Sequence, residues 1–215
     1  MPQLSGRDAE RLGKLIDEYR EWLYYIADTP AGQLALGNLE SGMGYSILAE
    51  QAYLKALEIE PNFVPELINL SDLYRAIGSD GESKELLLHA LEVVPDSADA
   101  NHAYGLYLVR SGKQREALNY LETAIRQEDS NSRHVYVYAV ALDSLGQTDA
   151  AKRVIEETSQ RWPNNLDLSF LQVSYMDKTG KIAGIHRYLS LLAVIATNEP
   201  QVRAWMNKYG VGGNS

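Results

Sequence analysis

The sequence predicts an all-α fold, an array of stacked helix–turn–helix repeats, on three observations. Five glycines recur at an interval of 34 residues: Gly44, Gly78, Gly112, Gly146 and Gly180. Each glycine closes one apolar helical stretch and stands shortly before the next one. A fixed period of this length with a glycine between paired helices is typical of helical repeat arrays. A chain that reverses after a helix favours a residue at positive φ, which glycine adopts without a Cβ clash, so we expect left-handed glycines here.

A single helix is predicted before the repeats begin. From Asp8 to Ala27 the apolar residues recur at intervals of three and four, which is the pattern of an amphipathic helix. Asp28-Thr29-Pro30 then ends this helix, and Thr29 before Pro30 favours the start of the next one. We interpret residues 1–29 as an N-terminal capping helix. The alternative is that this helix is the remnant of an upstream repeat.

Five repeats of 34 residues follow from Pro30 without an insertion: 30–63, 64–97, 98–131, 132–165 and 166–199. In the predicted first helices of the first four repeats a large residue is followed by a small one, as in Leu36-Gly37. The predicted second helix has a small–large–small pattern, as in Ala49, Tyr53 and Ala56. Small residues let two helices approach closely. The alternative fold, a globular helical bundle, offers no reason for a constant spacing.

The fifth repeat departs most from this pattern, with Gln172 and Val173 in place of the expected residue types. A terminal repeat packs on one neighbour only, so looser patterning is expected there. Its apolar run from Tyr188 to Ala196 is expected to be covered by the segment around Val202, Trp205 and Met206. Residues 200–215 are therefore predicted to be a C-terminal capping segment with a disordered tail.

The composition bounds the classes of function. The net charge of −9, from 29 acidic and 20 basic residues, argues against non-specific binding to nucleic acid, which requires a basic surface. The chain has no cysteine, which excludes disulfides, thiolate metal sites and cysteine-linked haem within it. No apolar run approaches the roughly 20 residues of a membrane span. The polar N-terminus lacks the apolar centre of a secretion signal, so we expect a cytoplasmic protein if the chain is complete.

Catalytic motifs are not found in the sequence. It contains no glycine-rich phosphate-binding loop, no nucleophile elbow and no H-E-x-x-H metal motif. The four histidines fall in different repeats, and no two stand at metal-ligand spacing: His89, His102, His134 and His186. We therefore expect no enzyme activity, no cofactor and no bound metal.

The pattern of large and small residues resembles the tetratricopeptide repeat family. The first repeat shows it best, in Leu36-Gly37, Gly44, Ala49, Tyr53, Ala56 and Pro61. The resemblance covers residues 30–199 and implies a right-handed superhelical solenoid of about five repeats with flanking helices. It also implies a concave groove, lined by the first helix of each repeat, in which a peptide or protein partner binds.

The same resemblance assigns candidate ligand-binding residues to the groove: Asn38, Asn69, Asp72, Arg75, His102, Arg133 and Tyr136. An asparagine amide can both donate to and accept from a peptide backbone. Tyr136 is a candidate anchor, because a rigid ring with a polar tip binds well at interfaces. Tyr104 and Tyr138 stand instead at core positions of their repeats, where we expect them to pack.

One subclass of the family grips a C-terminal carboxylate with two asparagines and several cations. Asn38 and Asn69 stand where those asparagines would be, but Leu34, Asp99 and Ala103 occupy the cation positions. Without cations such a clamp loses its charge-assisted hydrogen bonds, so we do not expect this kind of recognition. For Asn38 the alternative to ligand binding is a bond to the backbone of the neighbouring repeat.

Three stretches are also similar to the repeat tails of bacterial multihaem c-type cytochrome-related proteins: residues 62–75, 105–110 and 136–142. The haem-binding motif itself is absent from the chain. This resemblance implies an exported, periplasmic protein in which the array is a structural or docking tail. The two hypotheses are therefore a binding module with a groove and a docking element of a redox protein. End-to-end self-association is a further expectation, because an uncapped repeat leaves an apolar face open.

Overall fold

The computed structural model describes residues 6–26, 28–158, 160–196 and 198–211. These residues form twelve α-helices and no β-strand, so the predicted all-α helical repeat fold is confirmed. Residues 212–215, which belong to the tail predicted to be disordered, lie outside the described residues.

The helices after the first one follow the 34-residue period closely. Helix α1 is Gly6–Tyr25. Five helix pairs follow: α2 (Pro30–Gly42) and α3 (Ser46–Ile59), α4 (Val64–Ala76) and α5 (Asp80–Val93), α6 (Ala98–Arg110) and α7 (Gln114–Arg126), α8 (Ser132–Ser144) and α9 (Thr148–Thr158), and α10 (Leu166–Thr179) and α11 (Ile185–Ile195). Helix α12 is Pro200–Tyr209 and begins 34 residues after α10.

The five periodic glycines have the backbone conformation that the sequence predicts. Their φ angles lie between 70° and 86°, in the left-handed region. A β-carbon built on Gly112 would have no heavy atom within 4 Å, so the turn needs glycine for its backbone conformation and not for space. Gly184 and Gly210, which lie outside the series, also have positive φ.

The chain divides into two compact bodies. The N-terminal body ends at Tyr104 and the C-terminal body begins at Gly105, within α6. In the N-terminal body, α2, α3 and α4 pack through Ala49, Tyr53 and Leu70, all of which are buried. The fully buried Ala49 has the small side chain that close helix packing requires, as the repeat pattern predicts.

In the C-terminal body, α10, α11 and α12 share one apolar cluster. Leu189, Leu192, Val202 and Trp205 are buried in it, and Met206 packs against it. The predicted cover for the apolar run of the fifth repeat is therefore confirmed for most of that run. Val194 and Ile195 are exceptions within it, because their side chains remain exposed.

Helix α1 packs on α2 along one edge. Leu23 is fully buried in a cluster with Leu36. Beside it, Arg20 donates from Nε and Nη2 to the two carboxylate oxygens of Glu40, at 2.7 and 3.2 Å. Glu40 is only 1% exposed, so this ion pair holds a buried carboxylate. Of the wide apolar stripe that the sequence predicts for this helix, Ile16 and Ile26 are also half-buried, whereas the other side chains remain exposed: Leu12, Leu15, Tyr19 and Trp22.

Candidate functional site

The two candidate asparagines meet in the N-terminal body. The Asn38 Oδ1 atom accepts hydrogen bonds from the Tyr53 hydroxyl at 2.8 Å and from the Asn69 amide at 3.0 Å. Burial, with the Glu66 carboxyl as a smaller contribution, raises the pKa of Tyr53 to about 12, so its hydroxyl keeps the donated proton at neutral pH. Asn38 thus bonds neighbouring side chains, where the sequence suggested the neighbouring backbone as the alternative.

Asp72 and Arg75 lie on α4 one turn apart. The Arg75 Nε atom stands 3.2 Å from the Asp72 carboxylate, and both side chains are exposed. An exposed pair of this kind contributes little to stability, because water and salt screen it. Either charge can therefore turn to a ligand at small cost. Asn38, which is also exposed, is a further polar group on this body.

The C-terminal body has a hollow between the beginnings of α8 and α10. Its volume is about 490 Å³. The lining residues are Ser132, Arg133, Tyr136, Val137, Asn165 and Asp167. Two of the sequence-predicted ligand residues, Arg133 and Tyr136, are thereby brought to the same cavity.

Local hydrogen bonds hold the walls of this hollow. Asn131 caps α8, since its side chain accepts from the backbone N–H groups of Arg133 and His134. Asn165 caps α10 in the same way, accepting from the Leu168 N–H at 3.0 Å. The Asn165 amide also donates to the Ser132 hydroxyl at 3.1 Å, which ties the two helix starts together. The hydrogen bonds of these two helix-capping asparagines therefore hold both walls of the hollow in place.

The groups that face solvent in the hollow differ in chemistry. Arg133 is exposed and makes no ion pair within the described part of the chain, and Asp167 is exposed as well. The Tyr136 ring is 38% exposed beside the partly buried Val137. The hollow therefore offers a cation, a carboxylate and an aromatic face, which together suit a short polypeptide segment.

Other acidic residues of the implied groove are already paired within the C-terminal body. Asp143 accepts from the Lys178 ammonium at 2.7 Å and from the Thr148 hydroxyl, and these bonds outweigh burial and lower the pKa of Asp143. Bonds from Lys208 and Tyr209, each at 2.5 Å, lower the pKa of Asp177. These two carboxylates already bind side chains of the following helices. They are therefore less available to a ligand than the exposed side chains of the hollow.

The remaining sequence-predicted residues differ in exposure. His102 is only 8% exposed, so its ring lies among packed helices and presents little surface. Tyr104 and Tyr138 are buried, which confirms that they pack. Sequence reasoning did not single out Ser132, Val137 or Asn165. The signal for Asn165 was its place before the apolar start of a helix, where asparagine is a favoured cap.

Glu66 is a buried carboxyl in the first turn of α4. Its side chain is fully buried, and neither of its oxygens has a hydrogen-bond partner among the described residues. Burial raises its pKa to about 8. The corresponding residues Gly32, Ala100 and His134 of other repeats are also buried, so the helix register places Glu66 inside. Because its carboxyl is buried without a hydrogen-bond partner among the described residues, Glu66 lowers the stability of the folded chain.

Two further classes of site are absent from the described residues. They contain no cluster of three or more histidine, aspartate or glutamate side chains that could hold a metal ion. None of the helices in the described ranges combines the length and the apolar character needed to cross a membrane.

Comparisons with known proteins agree on the fold. The family model described as tetratricopeptide repeat matches residues 32–63. No curated protein matches the chain. Among solved structures, a crystal structure of MamA protein is 20% identical and covers 86% of this chain and 98% of its own, with a TM-score of 0.59.

Two other structures show the same similarity. Pseudomonas aeruginosa pilF is 19% identical and covers 81% of this chain and 77% of its own, with a TM-score of 0.67. YrrB, described as a tetratricopeptide repeat protein, is 17% identical and covers 87% of this chain and 96% of its own, with a TM-score of 0.58. The family model thus identifies one tetratricopeptide repeat at residues 32–63, and the similarity to these structures supports a helical repeat fold for the chain.

Proposed function

We propose that this chain is a non-catalytic scaffold that binds a peptide or protein partner on the surface of its first helices. The observation that carries the proposal is the hollow in which Arg133 and Tyr136 lie side by side. Among the structures that share the fold, YrrB is described as having an unusual peptide-binding site. Tetratricopeptide repeat folds suggest protein partners, and the hollow supplies a place for one.

Each exposed side chain of the hollow can make one kind of contact with a partner. The Tyr136 ring packs against an apolar side chain of the partner, and its hydroxyl remains available for a hydrogen bond. Arg133 binds a partner carboxylate through two parallel N–H donors. Asp167 on the other wall binds a partner cation or a backbone N–H. A partner peptide with an acidic residue next to an apolar one fits these groups.

The surface of the N-terminal body is proposed to contribute separately. Asn38 and Asn69 present amide groups, and Asp72 and Arg75 present a loosely held pair of charges. These groups suit hydrogen bonds to an extended backbone, with little chemical selectivity for side chains. His102, which is almost enclosed, is proposed to support the helix packing around this surface.

The test is a selection of peptides from a random display library on the whole chain. Dissociation constants of the selected peptides are then measured for the variants Arg133→Glu and Tyr136→Ala. We expect each variant to bind at least about tenfold more weakly, since anchor residues at interfaces contribute more than about 1.4 kcal/mol each. Arg115→Glu, at an exposed site on α7, is the matched control for charge. Unchanged affinity in both hollow variants would contradict the proposal.

A second measurement uses natural partners. Charge reversal at Arg75 and Arg133 together is expected to weaken the capture of a partner protein from an extract of the source cells, while circular dichroism remains unchanged. Unchanged capture would favour the second helices or the ends of the array as the binding surface.

The alternative proposal is a structural or docking tail of an exported multihaem cytochrome-type redox protein. It rests on the local sequence similarity of residues 62–75, 105–110 and 136–142 to such tails. Haem staining of a natural polypeptide with a mass well above 24.0 kDa would support this alternative. A natural polypeptide with a mass of 24.0 kDa, that of the present chain, would contradict it.

A further inference from the structure

Arg161 lies in the loop between α9 and α10 and binds the loop that precedes α8. Its Nη2 group donates to three backbone carbonyl oxygens of that loop: Glu128 at 3.0 Å, and Gln127 and Ser130 at 3.4 Å each. Hydrogen bonds from a charged donor are stronger than those between neutral groups. One guanidinium thus joins two loops that are 31 to 34 residues apart in sequence.

The loop that Arg161 binds is a closed turn at the start of α8. The Ser130 N–H donates to the Gln127 carbonyl at 3.2 Å, and the guanidinium bonds the carbonyls at both ends of this turn. Asn131 follows the turn directly, caps α8 and accepts from the Arg133 N–H at 2.9 Å. The position of the turn therefore sets where α8 begins and where Arg133 stands.

The loop that carries Arg161 leads to the other wall of the hollow. The Asn165 N–H donates to the Trp162 carbonyl at 3.2 Å, so a second turn ends at the residue that caps α10. The Asn165 amide also donates to the Ser132 hydroxyl. Arg161 and Asn165, which flank this second turn, therefore both form bridges to the start of α8.

The Trp162 ring orients the Arg161 side chain. The guanidinium carbon is 4.6 Å from the centroid of that ring. A planar guanidinium stacks well on an aromatic face, and its rigid set of donors loses less freedom per hydrogen bond than a lysine ammonium does. Because Arg161 is exposed, its charge contributes little to global stability. Its main effect is therefore on the position of the turn that it binds.

The repeat register shows that this arginine is not a requirement of the fold. The equivalent positions of the other four repeats hold uncharged residues: Ile59, Val93, Gln127 and Ile195. Those repeats form the same pairs of helices without a guanidinium at this point. The bridge is therefore specific to the loops that flank the hollow.

We propose that Arg161 is a positioning residue of the hollow, which holds the start of α8 against the start of α10. Arg133 and Tyr136 then face a partner in one arrangement. Arg161 is not one of the residues that line the hollow, so it acts through the turn before α8 and not by contact with the partner. A site that is ordered before binding loses less conformational entropy on binding, which increases its affinity. This inference rests on the proposed binding at the hollow.

The first test needs no ligand. Backbone order parameters from NMR relaxation are compared for wild type and Arg161→Gln. We expect lower order in the variant at residues 127–133, since the turn has lost its charged donor, and unchanged order in the second half of α8. Arg153→Gln, at an exposed site on α9, is the matched control. Unchanged order at residues 127–133 in Arg161→Gln would overturn the proposal, whether or not a peptide binds.

The second test measures the dissociation constants of the selected peptides. Arg161→Gln should bind about three- to tenfold more weakly than wild type, because the partner must then order the turn. In an Arg133→Glu background the same substitution should have a smaller effect, since a residue that acts through another is not additive with it. Arg153→Gln should bind like wild type.

The outcomes separate this inference from the proposed function. Unchanged affinity in Arg133→Glu and Tyr136→Ala contradicts binding at the hollow itself. If those two variants bind weakly but Arg161→Gln binds like wild type, or has the same effect in the Arg133→Glu background, Arg161 does not position the hollow.

Arg161→Lys tests the bonds to the carbonyls and guards against a loss of folding. It keeps the charge on one donor group, so we expect order and affinity between those of wild type and Arg161→Gln. Urea denaturation shows whether each variant is as stable as wild type. A stable lysine variant that restores neither order nor affinity would also contradict the proposal.

Discussion

Gly37 and Tyr53 are in direct contact across the first helix pair. A β-carbon built on Gly37 would lie 2.2 Å from Cε1 and 2.3 Å from Cδ1 of the Tyr53 ring. The same ring, through its hydroxyl, bonds Asn38 on the next position of α2. A single tyrosine thus packs on a glycine and orients a candidate ligand residue.

Gly37→Ala should destabilise the first helix pair. Because the added methyl overlaps a ring held by its own hydrogen bond, we expect the free energy of unfolding to fall by about 2 kcal/mol. Urea denaturation followed by circular dichroism measures it. Gly42→Ala on the same helix is the control, because nothing lies within 4 Å of a β-carbon there. If both variants were equally stable, the close contact would not be a feature of the folded chain.

Gly112→Ala tests a different requirement of the fold. Its φ is 77° and there is open space around it, so the cost comes from the backbone alone. We expect a loss of about 1 kcal/mol in the free energy of unfolding. Gly81→Ala, inside α5, should be neutral or stabilising in the same denaturation assay, because alanine favours helix. A neutral result at residue 112 would mean that the turn is built differently.

Glu66 makes stability depend on pH. In the unfolded chain this group loses its proton near pH 4.5, whereas in the folded chain its pKa is about 8. Between these values the unfolded state binds fewer protons, so the free energy of unfolding contributed by Glu66 falls as the pH rises. Glu66→Gln stays neutral and should remove this fall. Above pH 8 the variant should be more stable by a few kcal/mol, since one pKa unit corresponds to about 1.4 kcal/mol.

Urea denaturation at several pH values checks this dependence. Glu82→Gln on α5 is the matched control, because Glu82 is exposed and the fall in stability should persist in that variant. Equal pH profiles for wild type and Glu66→Gln would show that the Glu66 carboxyl is not buried and neutral.

The ion pair between Arg20 and Glu40 should hold α1 on the N-terminal body. Removing the cation in Arg20→Leu leaves the Glu40 carboxylate buried without its partner, and we expect a loss of about 2 kcal/mol or more. The double variant Arg20→Leu with Glu40→Leu should be less unstable than Arg20→Leu alone, because no charge is then buried. Thermal unfolding of the three proteins gives the comparison. Additive losses would contradict a direct interaction.

Much of the fold was predictable because it is periodic. The interval between Gly44 and Gly78 sets the register, and the helix starts at Pro30 and Val64 follow it. The core residues Ala49 and Tyr53 were predictable for the same reason, since a register fixes which face of a helix is buried.

The site was less predictable, because it depends on contacts between residues far apart in sequence. Arg133 and Tyr136 were expected to face a ligand, but their meeting with Asn165 requires two helix starts to lie side by side. The burial of His102 and the ion pair between Asp143 and Lys178 also depend on tertiary contacts. A single sequence shows which charged and polar residues are present. It does not show which of them form ion pairs with each other and which stay exposed for a ligand.

The most direct test of ligand binding is the map of backbone amide signals that shift when a selected peptide is added to the isotope-labelled chain. We expect the largest shifts at Arg133 and Tyr136 on α8 and at Asn165 and Asp167 across the hollow. We also expect Arg133→Glu to abolish these shifts. Shifts confined to the second helices α9 and α11 would contradict ligand binding at the hollow.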